Sequence, residues 1–559
     1  MIARGCPPQS SIRKSLMNNL LPRNFLDTVY KSENRLLTGY LRQVRTYREY
    51  QFTRQVKELV RAVKRSPEPK GLVAFNPMDN MPLSAVSAML MQRLGEIGWG
   101  VTLLGEDGLL PKSGDPKVRA FDGILVQKNR TTQYLRGSDE NAPLQHEWII
   151  DLDKGRCEAK GIEFYPLFWS LLTRWERRYF IDPNHETTRK RFEALLHSAD
   201  AMLTVVERLE RFSLERDLPV RIIAPEPLYP PSGIFNFYCR EYNRKNNLEF
   251  FDIEPAYEGY FKGGKGTFFS TFTGENLTRH KLFAAVNLRK ERFDAWLAQK
   301  HDVKTLVNDS KALLDLNRTN RKLNSESDAI VSRIERHKLS GGRVLCAFGL
   351  LLYDLGVPKD HGPAHQSMSD WVTHTVNLVK NSDDLLLVKP HMVEAQQPKF
   401  DQPIEVFADL LPKPLPKNVI VLDPLAFNLN DILPFLDLAI VWRGTVALEL
   451  AMMKVPVIAA AHFQVFGNIV TLPQPVDNQD YCRMVKEPNS VKLSDEQAET
   501  AALYLQFLKS SDNFLPFPYA TFGKKKKIPP FSKWHRKQLQ SFRPNGDSTI
   551  QELCARIIA

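Results

Sequence analysis

The sequence predicts an α/β protein with two domains, each built on a parallel sheet. Short, continuous apolar runs, such as residues 343–348, 384–388 and 438–442, are typical of parallel strands buried on both faces. These runs alternate with segments of helical composition, which is the pattern of β-α-β units. With 559 residues, 43% of them hydrophobic and 25% charged, the chain is long enough for two to four globular domains.

We divide the chain into four regions. Residues 1–66 form a basic helical extension, and 67–335 form the first α/β domain. Residues 336–481 form the second, and 482–559 form a helical tail that we expect to cross back to the first domain. The strands predicted in the first domain are 71–75, 100–104, 121–126, 201–206 and 220–223, with helices at 81–97 and 185–197. A polar helical segment, 308–340, is predicted to connect the domains.

Residues 431–461 show the pattern strand, turn, helix, strand. Gly444 suits a tight turn, and Thr445 suits the cap of the helix predicted at 446–453. Free N–H groups at such a turn favour an anion. Glu449 lies four residues after Thr445, on the same helix face, where a carboxylate can accept ribose hydroxyls. The alternative is an ordinary glycine turn, which occurs in any parallel α/β domain.

A second polar group follows the predicted strand 384–388. Lys389 supplies a point charge, and His391 supplies a donor. Ligands of open parallel sheets bind at the carboxyl ends of strands. Treating the two strands as neighbours, we predict one crevice that brings Lys389 and His391 together with Arg443, Gly444 and Thr445 to hold a nucleotide.

The segments KPHMVE and WRGTVALELAMMKVPVI resemble the C-terminal domain of bacterial capsule polysaccharide biosynthesis glycosyltransferases. Kdo-transferases, sialyltransferases and lipid A disaccharide synthase are similar at the second segment. The resemblance covers residues 343–481, and Met392 stands where the family has proline. It implies a GT-B architecture, with two Rossmann-like domains facing a cleft. It also implies sugar transfer from a nucleotide sugar to a capsular or other surface polysaccharide or glycolipid, with no further cofactor and no metal.

The base for such a transfer should come from the first domain. Glu106 and Asp107, followed by glycine, stand at the end of the predicted strand 100–104, and Asp79 in the first turn is the second choice. Bacterial polysialyltransferases carry a similar acidic pair before glycine that supplies the base. Ordinary turn formation is the alternative explanation of the triplet.

The loop 353–371 is rich in groups that could touch a substrate. We expect it to face the cleft, with a solvated loop as the alternative, and we predict no complete metal site from a single loop. Its ionisable residues are Asp354, Asp360, His361, His365 and Asp370.

Charge and composition indicate the partners and the cellular location of the protein. A net charge of +12 favours anionic partners such as nucleotide sugars, acidic glycans and anionic membranes. The basic amphipathic segment 24–65 suits a membrane surface, although packing on its own domain is the better explanation of its amphipathic pattern. The run of lysines at 524–527 is too short to imply nucleic acid. Six cysteines without metal or disulfide spacing, and no apolar run of 18 residues, predict a cytoplasmic protein, peripheral at the inner membrane.

Three alternatives to a glycosyltransferase are compatible with the sequence. A nucleotide-sugar epimerase would consume its substrate without an acceptor. A CDP-alcohol phosphotransferase of the same fold would use a CDP-alcohol donor. A non-enzymatic basic polysaccharide-binding protein would bind with steep salt dependence and without competition by nucleotides.

Overall fold

The structure is a computed structural model, and the account that follows is confined to the residues it describes. These are 58–59, 62–63, 68–76, 81–104, 143–224, 230, 232–242, 247–256, 267–273, 285–316, 325–353, 361–396, 405–461, 469–508, 515–521 and 533–559.

The β-strands of the described residues are numbered in chain order. They are β1 Leu72–Phe75, β2 Gly100–Leu103, β3 Trp148–Asp151, β4 Arg156–Ala159, β5 Ile162–Glu163, β6 Val220–Ala224, β7 Leu248–Ala256, β8 Thr267–Thr273, β9 Val344–Phe348, β10 Leu385–Lys389, β11 Val419–Val421, β12 Leu438–Val441, β13 Val457–Ala459, β14 Leu515–Phe517, β15 Ala520–Thr521 and β16 Lys533–Trp534.

The α-helices are numbered in the same way. They are α1 Met81–Glu96, α2 Tyr165–Glu176, α3 Glu186–Arg216, α4 Ser232–Tyr242, α5 Ala285–Ala298, α6 Val303–Leu316, α7 Ser325–Leu339, α8 Met368–Val379, α9 Leu429–Ile432, α10 Val446–Met452, α11 Asn478–Lys486, α12 Asp495–Leu508, α13 Arg536–Ser541 and α14 Ser548–Ile558.

The second sheet has five parallel strands in the order β11-β10-β9-β12-β13. Counted within this sheet, the order is 3-2-1-4-5, which is compatible with a Rossmann-like fold. All residues of β9, β12 and β13 are buried, because apolar clusters cover both faces of the sheet. This burial explains why the strands are continuous apolar runs rather than alternating ones, and it confirms their prediction.

The first sheet has six strands in the order β14-β8-β7-β6-β1-β2. The strands β2, β1, β6 and β7 are parallel, whereas β8 and β14 are antiparallel at one edge. One apolar cluster, with α2, α3 and α4, covers one face, and another, with α1 and α14, covers the opposite face. The last helix of the chain therefore packs on the first sheet, where Arg221 Nε donates to the Ile557 carbonyl oxygen at 3.2 Å.

One prediction in the first domain, the strand at 201–206, was wrong about the element, whereas the helix predicted at 185–197 is confirmed and extends further. The helix predicted at 185–197 and the strand predicted at 201–206 form a single helix, α3. The run Thr204-Val205-Val206 favours a strand locally, but it lies on the buried face of an amphipathic helix. Tertiary packing of that face outweighs the small β preference of these residues.

The polar segment predicted as a connection is helical, as expected, but it belongs to the second sheet. The helices α6 and α7 both pack against its apolar cluster, with Ile334 fully buried there. The small antiparallel sheet β3-β4-β5 was not predicted from the sequence. A polar contact links the segment after α2 to the second half of the chain, where Glu405 Oε2 accepts the N–H groups of Tyr179 at 2.5 Å and Phe180 at 3.1 Å.

Candidate functional site

The candidate site lies at the carboxyl edge of the second sheet, where the strand order reverses. The chain leaves β9 through α8 toward β10 on one side and later enters β12 on the other side. This divergence opens a crevice between the ends of β9 and β12, the usual place for a ligand in such sheets. Gly349 and Leu350 follow β9, and Arg443 and Gly444 follow β12. The two segments are close, since a Cβ built on Gly444 would lie 3.7 Å from Leu350 Cδ2.

The expectation that β10 and β12 are neighbours was wrong, because β9 lies between them. Two interstrand spacings separate their ends, or about 10 Å. Lys389 is joined to the intervening segment through its carbonyl oxygen, which accepts the Gly349 N–H at 3.0 Å. The residues Lys389 and His391 therefore flank one side of the crevice, while Arg443 and Gly444 border it on the other.

The glycine turn is confirmed, but the predicted cap is wrong. Gly444 has φ +133°, a conformation that L side chains rarely adopt, so the turn requires glycine. Thr445 stands at the N-cap position with helical angles of −66° and −18°, and its side chain makes no capping hydrogen bond. A capping hydroxyl needs extended backbone angles to reach the N–H groups of the first turn. Thr445 is an exposed residue.

The helix α10 is only seven residues long, so its dipole contributes less to anion binding than the sequence suggested. Glu449 lies in its first turn and is half-buried. The Thr445 carbonyl oxygen accepts the Glu449 N–H at 3.3 Å, which sets the two residues one turn apart on the same face. Side chains and the glycine turn, rather than the dipole, are the main groups here for an anion.

His391 has a defined arrangement after β10. Its Nδ1 accepts the Val393 N–H at 3.2 Å, and its carbonyl oxygen accepts the Glu394 N–H at 3.0 Å. With Nδ1 an acceptor, the neutral imidazole carries its proton on Nε2. The ring is half-buried and is suited to donate a hydrogen bond from Nε2.

Glu394 was not singled out from the sequence, although it ends the KPHMVE segment. Its side chain is 9% exposed, its Oε2 accepts the Phe407 N–H at 3.2 Å, and its buried Oε1 has no hydrogen-bond partner in the described part of the chain. Burial raises the pKa of this carboxyl to about 8, the charge of Asp409 adds to the rise, and Lys389 opposes it. The site therefore contains a carboxyl group that is largely protonated at neutral pH, a state typical of functional sites. The raised pKa of Glu394 is caused by tertiary packing, so no local sequence pattern predicts it.

The three acidic residues predicted as base candidates, Asp79, Glu106 and Asp107, lie outside the described residues. Within the described part of the first sheet, polar residues do occur at the carboxyl edge. Asn76 directly follows β1, and Asp252 lies at the level of the last residue of β6. Both are at most 2% exposed. Their strand positions put them on the same face of the sheet, separated by β6.

The loop predicted to face a substrate is partly buried instead. Asp354 and Asp360 lie outside the described residues, but His365 is 1% exposed, and its Nε2 is 2.9 Å from His374 Nδ1 on α8. Burial and, to a smaller extent, the neighbouring His374 lower the pKa of His365 to about 4. His365 is therefore a neutral packing residue, whereas His361 and Asp370 are exposed.

No protein-family model matches the chain, and no curated protein matches it. Within the described residues, no helix is both long and apolar enough to cross a membrane. The same residues contain no group of three or more histidine, cysteine or acidic side chains arranged to hold a metal ion. The fold is that of an α/β protein with one mixed six-stranded sheet and one parallel five-stranded sheet.

Proposed function

We propose that the protein is a glycosyltransferase of GT-B architecture that uses a nucleotide sugar. Its acceptor in this proposal is a capsular or other surface polysaccharide, or a glycolipid. The observation that carries the proposal is the crevice at the switch point of the second sheet. Lys389 and His391 flank this crevice on one side, and Gly444 with Thr445 borders the other.

The residues around the crevice suit the parts of a nucleotide diphosphate. Lys389 and the Nε2–H of His391 suit the phosphates, to which the Gly444 turn allows close backbone approach. Arg443, next to the turn, adds a second cation. Glu449, half-buried on the first turn of α10, suits the ribose hydroxyls. A span of about 10 Å between the two strand ends fits an extended nucleotide better than a single phosphate.

In this proposal the transfer is a displacement at the anomeric carbon of the donor sugar. The acceptor oxygen bonds to that carbon while the bond to the leaving phosphate breaks, and a base takes the acceptor proton. Lys389 and His391 stabilise the negative charge that develops on the phosphate. The base comes from the first domain, from Asp107, Glu106 or Asp79 as the sequence predicts, or from the buried Asp252.

Nucleotide binding tests the site directly. We expect UDP or CMP to raise the melting temperature of the wild-type protein. The variant His391→Ala should weaken this nucleotide binding by about 1.5–3 kcal/mol, the scale of a charge-assisted hydrogen bond. Thr445→Val keeps the shape of its side chain and tests the hydroxyl alone. If both variants bind the nucleotide as the wild type does, the assignment of the site is wrong.

Activity tests the base and separates the alternatives. Asp107→Asn should lower sugar transfer by about 10²–10⁴-fold with little change in nucleotide binding. Transfer that survives in Asp107→Asn and Glu106→Gln but fails in Asp79→Asn would move the base to the first turn. An epimerase would instead convert the nucleotide sugar without any acceptor, and a phosphotransferase would require a CDP-alcohol.

We further propose that the protein is cytoplasmic and touches the inner membrane through its basic residues. The lysines at 524–527 lie outside the described residues, as does most of the segment 24–65. Near the end of that segment, Leu59 and Val63 pack against the first sheet, and the Leu59 carbonyl oxygen accepts from Gln92 Nε2 at 2.6 Å. This contact favours packing on its own domain for that end of the segment. Sedimentation with neutral and anionic vesicles tests the proposal, and equal binding to both would contradict it.

A further inference from the structure

A basic surface cavity, wide open to solvent, lies at the amino edge of the second sheet, opposite the candidate site. Its volume is about 470 Å³, and its lining includes Leu385, the first residue of β10. The other walls are the last turns of α7 and the segment before β11. Arg333, Arg336 and Lys417, all three exposed, supply the basic residues of these walls.

Helical spacing directs the α7 residues into this cavity. Residues 333, 336, 337 and 340 fall within about 100° of arc around the helix axis, so they share one face. The acidic residue of this stretch, Glu335, points about 160–200° away from Arg333 on the same helix. A hydrogen bond from the Arg333 guanidinium to the Lys417 carbonyl oxygen joins the two walls. His337 is oriented by the Arg343 carbonyl oxygen, 3.0 Å from its Nε2.

The cations of the cavity are not neutralised by carboxylates. In the described part of the chain, no acidic side chain forms a salt bridge with Arg333, Arg336 or Lys417. The neighbouring acidic residues already have partners, since Lys338 pairs with Asp437 at 2.7 Å and Arg343 pairs with Asp384 at 2.6 Å. The negative end of the α7 dipole, about half a charge, offsets only part of three full positive charges. An added anion is therefore favoured here.

We propose that this cavity is a second anion site, which binds a phosphomonoester or a diphosphate group. Two guanidinium groups and an ammonium group match the geometry and charge of phosphate oxygens. The volume exceeds that of a phosphate group, and because the cavity is open, the rest of a larger ligand can extend from it into solvent. The site is separate from the proposed nucleotide site, because the four residue steps along β10 set the two edges about 13 Å apart.

Calorimetric titration with inorganic pyrophosphate at low ionic strength tests this site. The titration uses the full chain carrying Lys389→Ala, which removes a phosphate ligand of the proposed nucleotide site. In that background we expect pyrophosphate still to bind, and the further change Arg336→Ala should weaken binding by about 10-fold. Arg333→Ala should act in the same direction. Arg189→Ala, an exposed arginine on α3, is the matched control and should leave the affinity unchanged.

A second experiment distinguishes a soluble phosphate from a lipid headgroup. Vesicles of phosphatidylcholine with and without phosphatidic acid are sedimented with the Lys389→Ala protein and with its Arg336→Ala derivative. If Arg336→Ala weakens binding to vesicles with phosphatidic acid, the site binds a lipid headgroup. If Arg336→Ala weakens binding of pyrophosphate, the site binds a soluble phosphate. The proposal is overturned if neither ligand binds or if Arg336→Ala changes neither affinity. Because Arg336 lies at the amino edge of the second sheet, opposite the proposed glycosyltransferase site, its effect on binding does not depend on whether that site exists.

Discussion

The change Glu394→Gln tests whether the carboxyl group beside Lys389 is held in its neutral form. Glutamine has the shape of a protonated glutamic acid, so it can still accept the Phe407 N–H and present a donor on the buried side. What it removes is the ability to ionise. In the wild type, burial raises the pKa of Glu394 from an ordinary value of 4.5 to about 8.

The size of the effect follows from this pKa. A carboxyl whose pKa is higher in the folded than in the unfolded protein lowers stability as pH rises from the unfolded to the folded value. Each pKa unit corresponds to about 1.4 kcal/mol. Ionisation of Glu394 should therefore lower the free energy of unfolding of the wild type by at most about 3 kcal/mol at pH 7 and about 5 kcal/mol above pH 8. The variant Glu394→Gln should show no such decrease.

Hydrogen exchange measured on a peptide covering residues 385–396 suits this test, because it reports the opening of this region rather than of the whole chain. Comparing variant with wild type at the same pH cancels the intrinsic exchange rate. We expect the two proteins to be equally protected from exchange near pH 5. Between pH 5 and pH 8, the protection of Glu394→Gln should increasingly exceed that of the wild type. Glu335→Gln, an exposed glutamate on α7, is the control and should show no such growth.

The same variant tests the link to the proposed nucleotide site. Ionised Glu394 attracts Lys389 and repels a phosphate, so wild-type nucleotide affinity should fall as pH rises through about 8. The affinity of Glu394→Gln should lack this fall. If variant and wild type keep a constant difference in protection from pH 5 to pH 8, Glu394 is already ionised at neutral pH and the reasoning is refuted.

Three further changes test other parts of the structure. Gly349→Ala places a Cβ 2.6 Å from the Phe407 ring, so it should lower the melting temperature by an amount equivalent to about 1–3 kcal/mol; an unchanged melting curve would contradict this packing. Protonating buried His365 is disfavoured, so the free energy of unfolding of the wild type relative to His365→Gln should fall by about 3 kcal/mol as pH drops from 6.5 to about 4; urea unfolding of both proteins measures this difference, and an unchanged difference would contradict it. Asp252→Asn should reduce sugar transfer by about 10²–10⁴-fold at an unchanged melting temperature if this residue is the base, whereas a loss of stability with activity retained would mean a packing role.

Local sequence determined the strands β9, β10 and β12 of the second sheet and the turn at Gly444, whereas β11 was not predicted. The runs 343–348, 384–388 and 438–442 are recognisable because strands covered on both faces exclude polar residues. The turn is recognisable because a positive φ selects glycine. Both features depend on neighbouring residues alone, so the chain itself carries the signal.

Tertiary structure decided which of these elements meet. The sequence does not encode locally that β9 separates β10 from β12, because strand order depends on contacts between residues far apart in the chain. Packing of a whole helix face also made α3 continuous through Thr204-Val205-Val206, against the local preference for a strand. The burial that holds Glu394 and His365 neutral comes from distant segments. A raised or lowered pKa is a property of the folded environment, which is why neither group could be recognised before the fold was known.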